Sequence, residues 1–211
     1  MKILGIDPGL DRTGWAILER DGPFGAPRLL DSGLIHTDKA LALEKRLAAI
    51  YDALMRVIEL GAPESAAIEE VFFSMRAGTQ ANTTHARGVI LLACEKSSLP
   101  ISSYNPKEIK KTLSGNGSAD KAQIQKMVQL TLRLKEIPRP DDVADAMAAA
   151  WQDIVPCRLI RTLEAAVHAA WLEAQPGDTI LLSPACASFD QFRNFAERGE
   201  QFASIIRTLA D

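Results

Sequence analysis

The sequence predicts an α/β domain with a mixed sheet, and two observations carry that reading. Three short strand-like segments follow one another in the first 36 residues with loop chemistry between them, which suggests an antiparallel meander. From there helical and strand-like stretches alternate, giving the order βββ-α-β-α-β-α, the signature of a sheet flanked by helices.

Each element has a local reason. KILGID (2–7) is an apolar run that stops at Asp7 before the turn residues Asp7-Pro8-Gly9, as a strand buried on both faces would. TGWAILE (13–19) and LLDSGLIH (29–36) read as the next two strands, with DGPFGAP between them as a loop. From Leu41 to Leu60, Leu43, Leu47, Ile50, Leu54, Val57 and Ile58 form the stripe of an amphipathic helix, which Gly61 and Pro63 end. AAIEEVFF (66–73) reads as the fourth strand, 78–97 as a helix and 99–102 as a short fifth strand. Helices follow at 106–113, 119–135 and 142–151, the last with Asp141 or Asp142 as N-cap. The pattern changes after Cys157. Residues 159–174 read as a helix, 175–178 as a turn, 179–183 (TILLS) as a buried strand and 190–210 as a helix. The expected domains are therefore 1–157 and a helix-strand-helix appendage over 158–211.

Composition removes several classes. The 211 residues are 47% hydrophobic and 24% charged, an ordinary globular balance, and no apolar stretch approaches the roughly 18 residues that span a bilayer. Acidic residues come too early in MKILGIDPGLDR for a secretory signal. Three scattered cysteines, Cys94, Cys157 and Cys186, argue against a disulfide framework and for a reducing, cytoplasmic setting. The net charge of -3 conceals a basic segment: residues 105–139 carry eight Lys and Arg against three acids. For binding a polyanion, distribution matters more than the total.

Four acids stand where metal-assisted phosphodiester chemistry needs them. Asp7 closes the first strand and Glu69 the apolar part of the fourth, while Asp142 and Asp145, three apart at a helix start, can face one way. Carboxylate oxygens are hard ligands suited to Mg²⁺ or Mn²⁺. Two such ions about 4 Å apart can activate a water and stabilise a leaving oxygen. Taken singly, Asp7 could be a turn residue, Glu69 half of an ion pair and Asp142 an N-cap; the ordered set is what points to chemistry. Spacing alone does not separate Glu69 from Glu70 or Asp142 from Asp141.

The stretches MKILGIDPGLDRTGWAIL, AIEEVFF (67–73), ARGVILLA (86–93), EIKKTLSGNGSADKAQIQKMV (108–128) and KEIPRPDDVADAMAAA (135–150) resemble, in order, the RuvC family of Holliday-junction resolvases. That resemblance implies a ribonuclease-H-like fold over residues 1–155 and a metal-dependent endonuclease that resolves four-way junctions by paired symmetric nicks in recombination and repair. It implies metal-ligand roles for Asp7, Glu69, Asp142 and Asp145, preferring Glu69 over Glu70 and Asp142 over Asp141, although some members carry His at the Asp142 position. Two Mg²⁺ ions per site are implied, with Mn²⁺ as a substitute. Lys110 and Lys121 match lysines that face the scissile phosphate. The residues agree, since 115–121 is a glycine-containing turn into a helix whose N-terminus and lysine suit a phosphate. Phe72 resembles an exposed aromatic that stacks on a base near the junction centre, with core packing and the neighbouring Phe73 as the alternatives. His85 reads as structural or surface. The partners implied are four-way junction DNA, a second copy of the chain through the helix over 78–97 with Val89 and Leu92 as contacts, and the branch-migration proteins RuvA and RuvB.

Residues 177–202 resemble instead the C-terminal end of MurD, the D-glutamate-adding ligase, in which positions matching Ser188 and Phe195 hold the amino acid. The phosphate loop G-x-x-x-x-G-K-[ST] that ligase chemistry needs is absent from the sequence. The alternatives to a junction resolvase are another ribonuclease-H-like nuclease, acting for instance on RNA–DNA hybrids, or a nuclease fused to a ligase remnant without function. An actin-like ATPase shares the G-I-D-x-G opening, but its D-G-G phosphate loop is missing.

Overall fold

The computed structural model describes residues 1–22, 25–71, 77–155, 160–183 and 191–210, the side chains of 77–80 excepted. The chain divides into two compact units, Met1–Pro156 and Cys157–Asp211.

The first unit is built on five strands: β1 (Lys2–Asp7), β2 (Arg12–Glu19), β3 (Arg28–His36), β4 (Ser65–Glu69) and β5 (Ile101–Tyr104), in spatial order β3-β2-β1-β4-β5. The first three pair antiparallel as a meander, and β4 and β5 add in parallel beside β1. This is the expected mixed sheet. Its helices are α1 (Leu43–Gly61), α2 (Ala77–Lys96), α3 (Pro106–Ser114), α4 (Lys121–Thr131) and α5 (Asp141–Ile154).

The apolar run of β1 reflects burial on both faces. Leu4 and Ile6 join Ile50 and Leu54 of α1 and Ile90 of α2 in one core layer. Ile3 joins the other, with Ile109 of α3, Ile124 of α4 and the alanines of α5. Because side chains alternate along a strand, Gly5 and Asp7 share the face of Ile3. By the same alternation Glu69 shares the face of Ala67, which also lies in the α5 layer.

Helix α5 sits against the sheet backbone. A β-carbon on Gly5 would lie 2.0 Å from the Ala146 carbonyl oxygen and 2.7 Å from the Ala150 Cβ, and one on Gly14 would lie 2.0 Å from the Asp142 carbonyl oxygen. Glycine on the strands and alanine on the helix are therefore one feature, a close backbone approach. The far end of α5 is tied down through Asp153, which accepts hydrogen bonds from the Tyr104 hydroxyl and, at 3.4 Å, from Ser65 Oγ.

Several boundaries differ from the sequence reading. β4 ends at Glu69 rather than 73, where its partner β1 ends. β5 begins at Ile101 because Leu99 still caps α2, its N–H donating to the Cys94 carbonyl. Gly61 does not end α1 as a left-handed residue: Ala62 takes that conformation at φ 45°, and Gly61 instead lets Ile17 approach. The N-cap of α5 is Pro140, so Asp141 and Asp142 are first-turn residues, not caps. α4 is shorter than expected and opens on a capping box between Asp120 and Gln123. In α1, Arg46 is buried beside Ile50 and Leu54, a place the apolar stripe did not assign.

The second unit holds α6 (Leu163–Glu173), capped by Thr162, and α7 (Phe195–Ala210). The turn over 175–178 forms as expected, with Gly177 at φ 99°. The predicted strand over 179–183 does not form; the segment is coil. A single strand with no neighbour leaves its backbone groups unpaired, so TILLS gains nothing from extending. Among the described residues of this unit only Val167 is a buried hydrophobic, while Leu172, Leu181 and Phe195 are exposed.

Candidate active site

Asp7 and Glu69 reach one place because β1 and β4 are parallel neighbours in register, Ile6 opposite Ile68, with both acids one step further on. Asp142 and Asp145 reach it because α5 lies directly over Gly5 and Gly14. Glu70 lies outside this group: it is exposed, and its N–H donates to the Tyr104 carbonyl, extending the β4–β5 pairing by one step.

The electrostatics confirm the convergence. Burial raises the Asp7 carboxyl well above its usual range, and the charges of Glu69, Asp145 and Asp142 raise it further, against Lys121. Burial, then Asp145, pushes Glu69 up to about 7, opposed by Lys110 and Lys121. Burial pushes Asp145 up to about 6, the two lysines again opposing. Two strand-end acids, two helix-start acids and two lysines thus form one charge cluster, holding six of the sequence-predicted site residues. Phe72 lies outside the described residues.

Two features were not read from the sequence. The first is a cationic bridge at the helix start. Arg12 Nη2 lies 2.9 Å from Asp142 Oδ2 and 3.4 Å from Asp141 Oδ1, and Lys121 Nζ donates to Asp141 Oδ2. The contact to Asp142 is a close charge pair without hydrogen-bond alignment, which leaves that buried oxygen without a proper donor. The second is a brace beneath the loop that follows Asp7. The buried Arg46 donates from Nε to Thr37 Oγ1 at 2.9 Å and from Nη2 to Asp11, while Thr37 donates to the Leu10 carbonyl. Lys39, then Arg46, holds the Asp11 carboxyl below its ordinary range. A charged residue within an otherwise apolar helix stripe was the signal for this brace. At the turn into α4 the Asp120 carboxylate accepts from the Gln123 N–H, so that one amide of the helix start is taken.

As they stand, the acids face one another without closing into a ligand cage; among the described residues no three acidic, imidazole or thiol groups are close enough to hold an ion. Arg12 holds Asp142 at 2.9 Å. The donor chemistry nevertheless fits a hard divalent cation: all oxygen, rigidly mounted, under-neutralised, with Asp142 Oδ2 buried and unsatisfied.

A pH dependence follows. Folded Glu69 and Asp145 hold protons to about pH 7 and 6, against ordinary values of 4.5 and 3.8. Between those limits the native state binds more protons than the unfolded one, so stability falls as pH rises. In chelator, urea unfolding is expected to show a native state weaker at pH 8 than at pH 5. Glu69→Gln should remove a large part of that slope and gain on the order of 2 kcal/mol at pH 8. Parallel profiles for the two proteins would rule out the charge cluster as its source.

Residues 3–152 match the family described as crossover junction endodeoxyribonuclease RuvC. A protein of that name from Chloroflexus aggregans is 45% identical over 150 residues, covering 71% of this chain and 90% of its own. Another from Roseiflexus sp. strain RS-1 is 43% identical over 163 residues, covering 77% and 96%. The structure of T. thermophilus RuvC in complex with Holliday junction substrate superposes with a TM-score of 0.66 at 32% identity, over 71% of this chain and 90% of that one. Fold and sequence therefore agree, and the chain belongs to the RuvC family of Holliday-junction resolvases, nucleases of ribonuclease-H-like fold.

Proposed function

We propose that Asp7, Glu69, Asp142 and Asp145 hold two divalent ions, Mg²⁺ or Mn²⁺ in its place, and that the chain resolves four-way DNA junctions by paired symmetric nicks. Enzymes of this family are divalent-metal dependent. The observation that carries the reading is the placement of Asp7 and Glu69 at adjacent strand ends on the face that α5 covers, with Lys110 and Lys121 felt by both Glu69 and Asp145. When bound, the ions supply a more acidic water and neutralise charge at the leaving oxygen. Asp7 and Glu69, once deprotonated, fix the site rigidly because each closes a strand in the middle of the sheet. Lys121 and Lys110 supply cations for the phosphate, whose affinity is mostly electrostatic. A gel comparing a four-way junction, a linear duplex and an RNA–DNA hybrid, each with and without Mg²⁺, tests the assignment. Cleavage of the junction alone, only with metal, is expected; preferred cleavage of the hybrid would favour the ribonuclease-H-like alternative.

The T. thermophilus structure, a RuvC bound to a Holliday junction, supports four-way DNA as the partner. A homodimer supplies two opposed sites for two symmetric cuts. On α2, Leu92 is half exposed and fits a contact between copies, whereas Val89 packs partly into its own core. RuvA and RuvB complete the partner set that the family implies.

The second unit is read as a Mur-ligase-like fragment without ligase activity. Phe195 is exposed at the start of α7, and Ser188 lies outside the described residues. Every described site side chain belongs to the first unit. Truncation after Cys157 is therefore expected to keep junction cleavage within about threefold and to improve solubility, since exposed Leu172, Leu181 and Phe195 are removed. Loss of folding on truncation, or tight binding of D-glutamate by the full chain, would overturn this.

A further inference from the structure

Asp141 is the acid of the helix start that stands at the edge of the central cluster, where its charge reaches Asp145 but not Asp7 or Glu69. Burial, Glu69, Asp145 and Asp142 raise the Asp7 carboxyl, whereas Asp141 is held below its ordinary range, chiefly by the hydrogen bond from Lys121. It stands on the first turn of α5 and is touched by two cations from two different elements: Lys121 from the start of α4, through Oδ2, and Arg12 from the start of β2, through Oδ1 at 3.4 Å. Lys121 is 69% exposed and long, and the hydrogen bond to Asp141 is the largest influence on its ammonium, ahead of the charges of Asp145 and Asp142. Arg12 is 44% exposed and shared between Asp141 and Asp142. A cavity of about 420 Å³ lined by Gly9, Arg12, Asn82 and Asp142 opens beside this bridge. The arrangement neutralises two cations beside the acid cluster before any polyanion arrives.

We propose that Asp141 is a positioning residue, an internal anion that holds Lys121 and Arg12 at the mouth of the site and that a DNA backbone phosphate displaces from both. The proposal rests on the assignment of Lys121 as a phosphate contact. It adds Arg12 as a second one and explains how an exposed lysine is kept aimed. Exchanging one anionic partner for another conserves the ion pairs at the site, so the affinity gained from each cation is smaller than a free lysine or arginine would give. Removing the internal anion should then bind DNA more tightly while leaving Lys121 less well aimed.

The test is junction binding in chelator, titrated with salt, for the wild type, Asp141→Asn, Asp141→Glu and Lys121→Ala. Asp141→Asn is expected to tighten binding several-fold at low salt and to steepen the slope of log affinity against log salt by roughly 0.9, for Lys121, since Arg12 keeps its closer partner Asp142. Asp141→Glu, which restores an anion, should return the slope toward that of the wild type. In an Arg12→Ala/Lys121→Ala background the gain from Asp141→Asn should vanish; if it persists, it is only the loss of a nearby negative charge, and the positioning role is overturned. With Mg²⁺ restored, Asp141→Asn should lower kcat while lowering KM. If Asp141→Asn does not fold, Asp141→Ser, which suits a first turn, carries the same comparison. A slope lowered by Lys121→Ala but unmoved by Asp141→Asn would sink this inference and leave the site reading intact. A slope unmoved by adding Lys121→Ala to Asp141→Asn would remove the lysine assignment itself, and the proposal with it.

Discussion

Asp7→Asn is expected to reduce junction cleavage by at least roughly 10³-fold, about 4 kcal/mol in the transition state, while leaving junction affinity within about threefold. The asymmetry comes from where the residue sits. Asp7 is the acid on which the other three converge, and its carboxyl is raised by burial and by all three of them. An amide keeps the shape and the neutral oxygen but loses the charge that a divalent cation needs. The affinity for DNA resides in the basic segment, which the substitution does not touch. A further sign separates lost chemistry from misfolding: removing one of several buried like charges relieves repulsion, so the variant should unfold at a higher temperature than the wild type in chelator. Gel-shift and cleavage assays on the same preparation decide the matter, and parallel loss of both would falsify the assignment.

Gly5→Ala is expected to be among the most damaging single methyls in the first unit. Its β-carbon would stand 2.0 Å from the Ala146 carbonyl oxygen, a backbone atom that cannot turn aside. The helix would have to lift from the sheet, at a cost of about 3 kcal/mol or more, the upper end of overpacking penalties. Lifting α5 also carries Asp142 and Asp145 away from Asp7 and Glu69, so residual folded protein should cleave poorly even where it is still folded. Thermal unfolding gives the first effect, and cleavage per folded molecule the second. A variant with wild-type melting and activity would mean that the helix does not seat on Gly5.

The fold was legible in the sequence because its elements alternate in period: runs of two-sided burial for β1 and β4, a helical stripe for α1, a run of small residues for α5. The site was legible as a set of four acids, and spacing did not choose between neighbours; the family resemblance did. Where a strand is buried on both faces, its apolar pattern does not say which face a polar residue takes. Physically, Glu69 is separated from Glu70 only once α5 is known to cover the face of Ala67. Strand ends were misread for a related reason: β4 and β5 stop where their partners stop, a fact of pairing and not of composition. The segment over 179–183 has the composition of a strand and no neighbour to make it one. Arg46 stood out as a charge in an apolar stripe, but neither it nor Arg12 carries a local sign of which residue is its partner.

The seating of α5 on β1 has a consequence for how the molecule tolerates change. Where side chains separate a helix from a sheet, every conservative substitution alters the gap, and anything mounted on the helix drifts with it. Here carbonyl, glycine and alanine set the gap, and these have no rotamers to relax. The distance between the two halves of the acid cluster is thus set by contact between backbones more than by side-chain packing. The opposite layer, formed by α1, α2 and their leucines and isoleucines, can be rewritten as long as it stays full, and the spacing of the acids will not register the change.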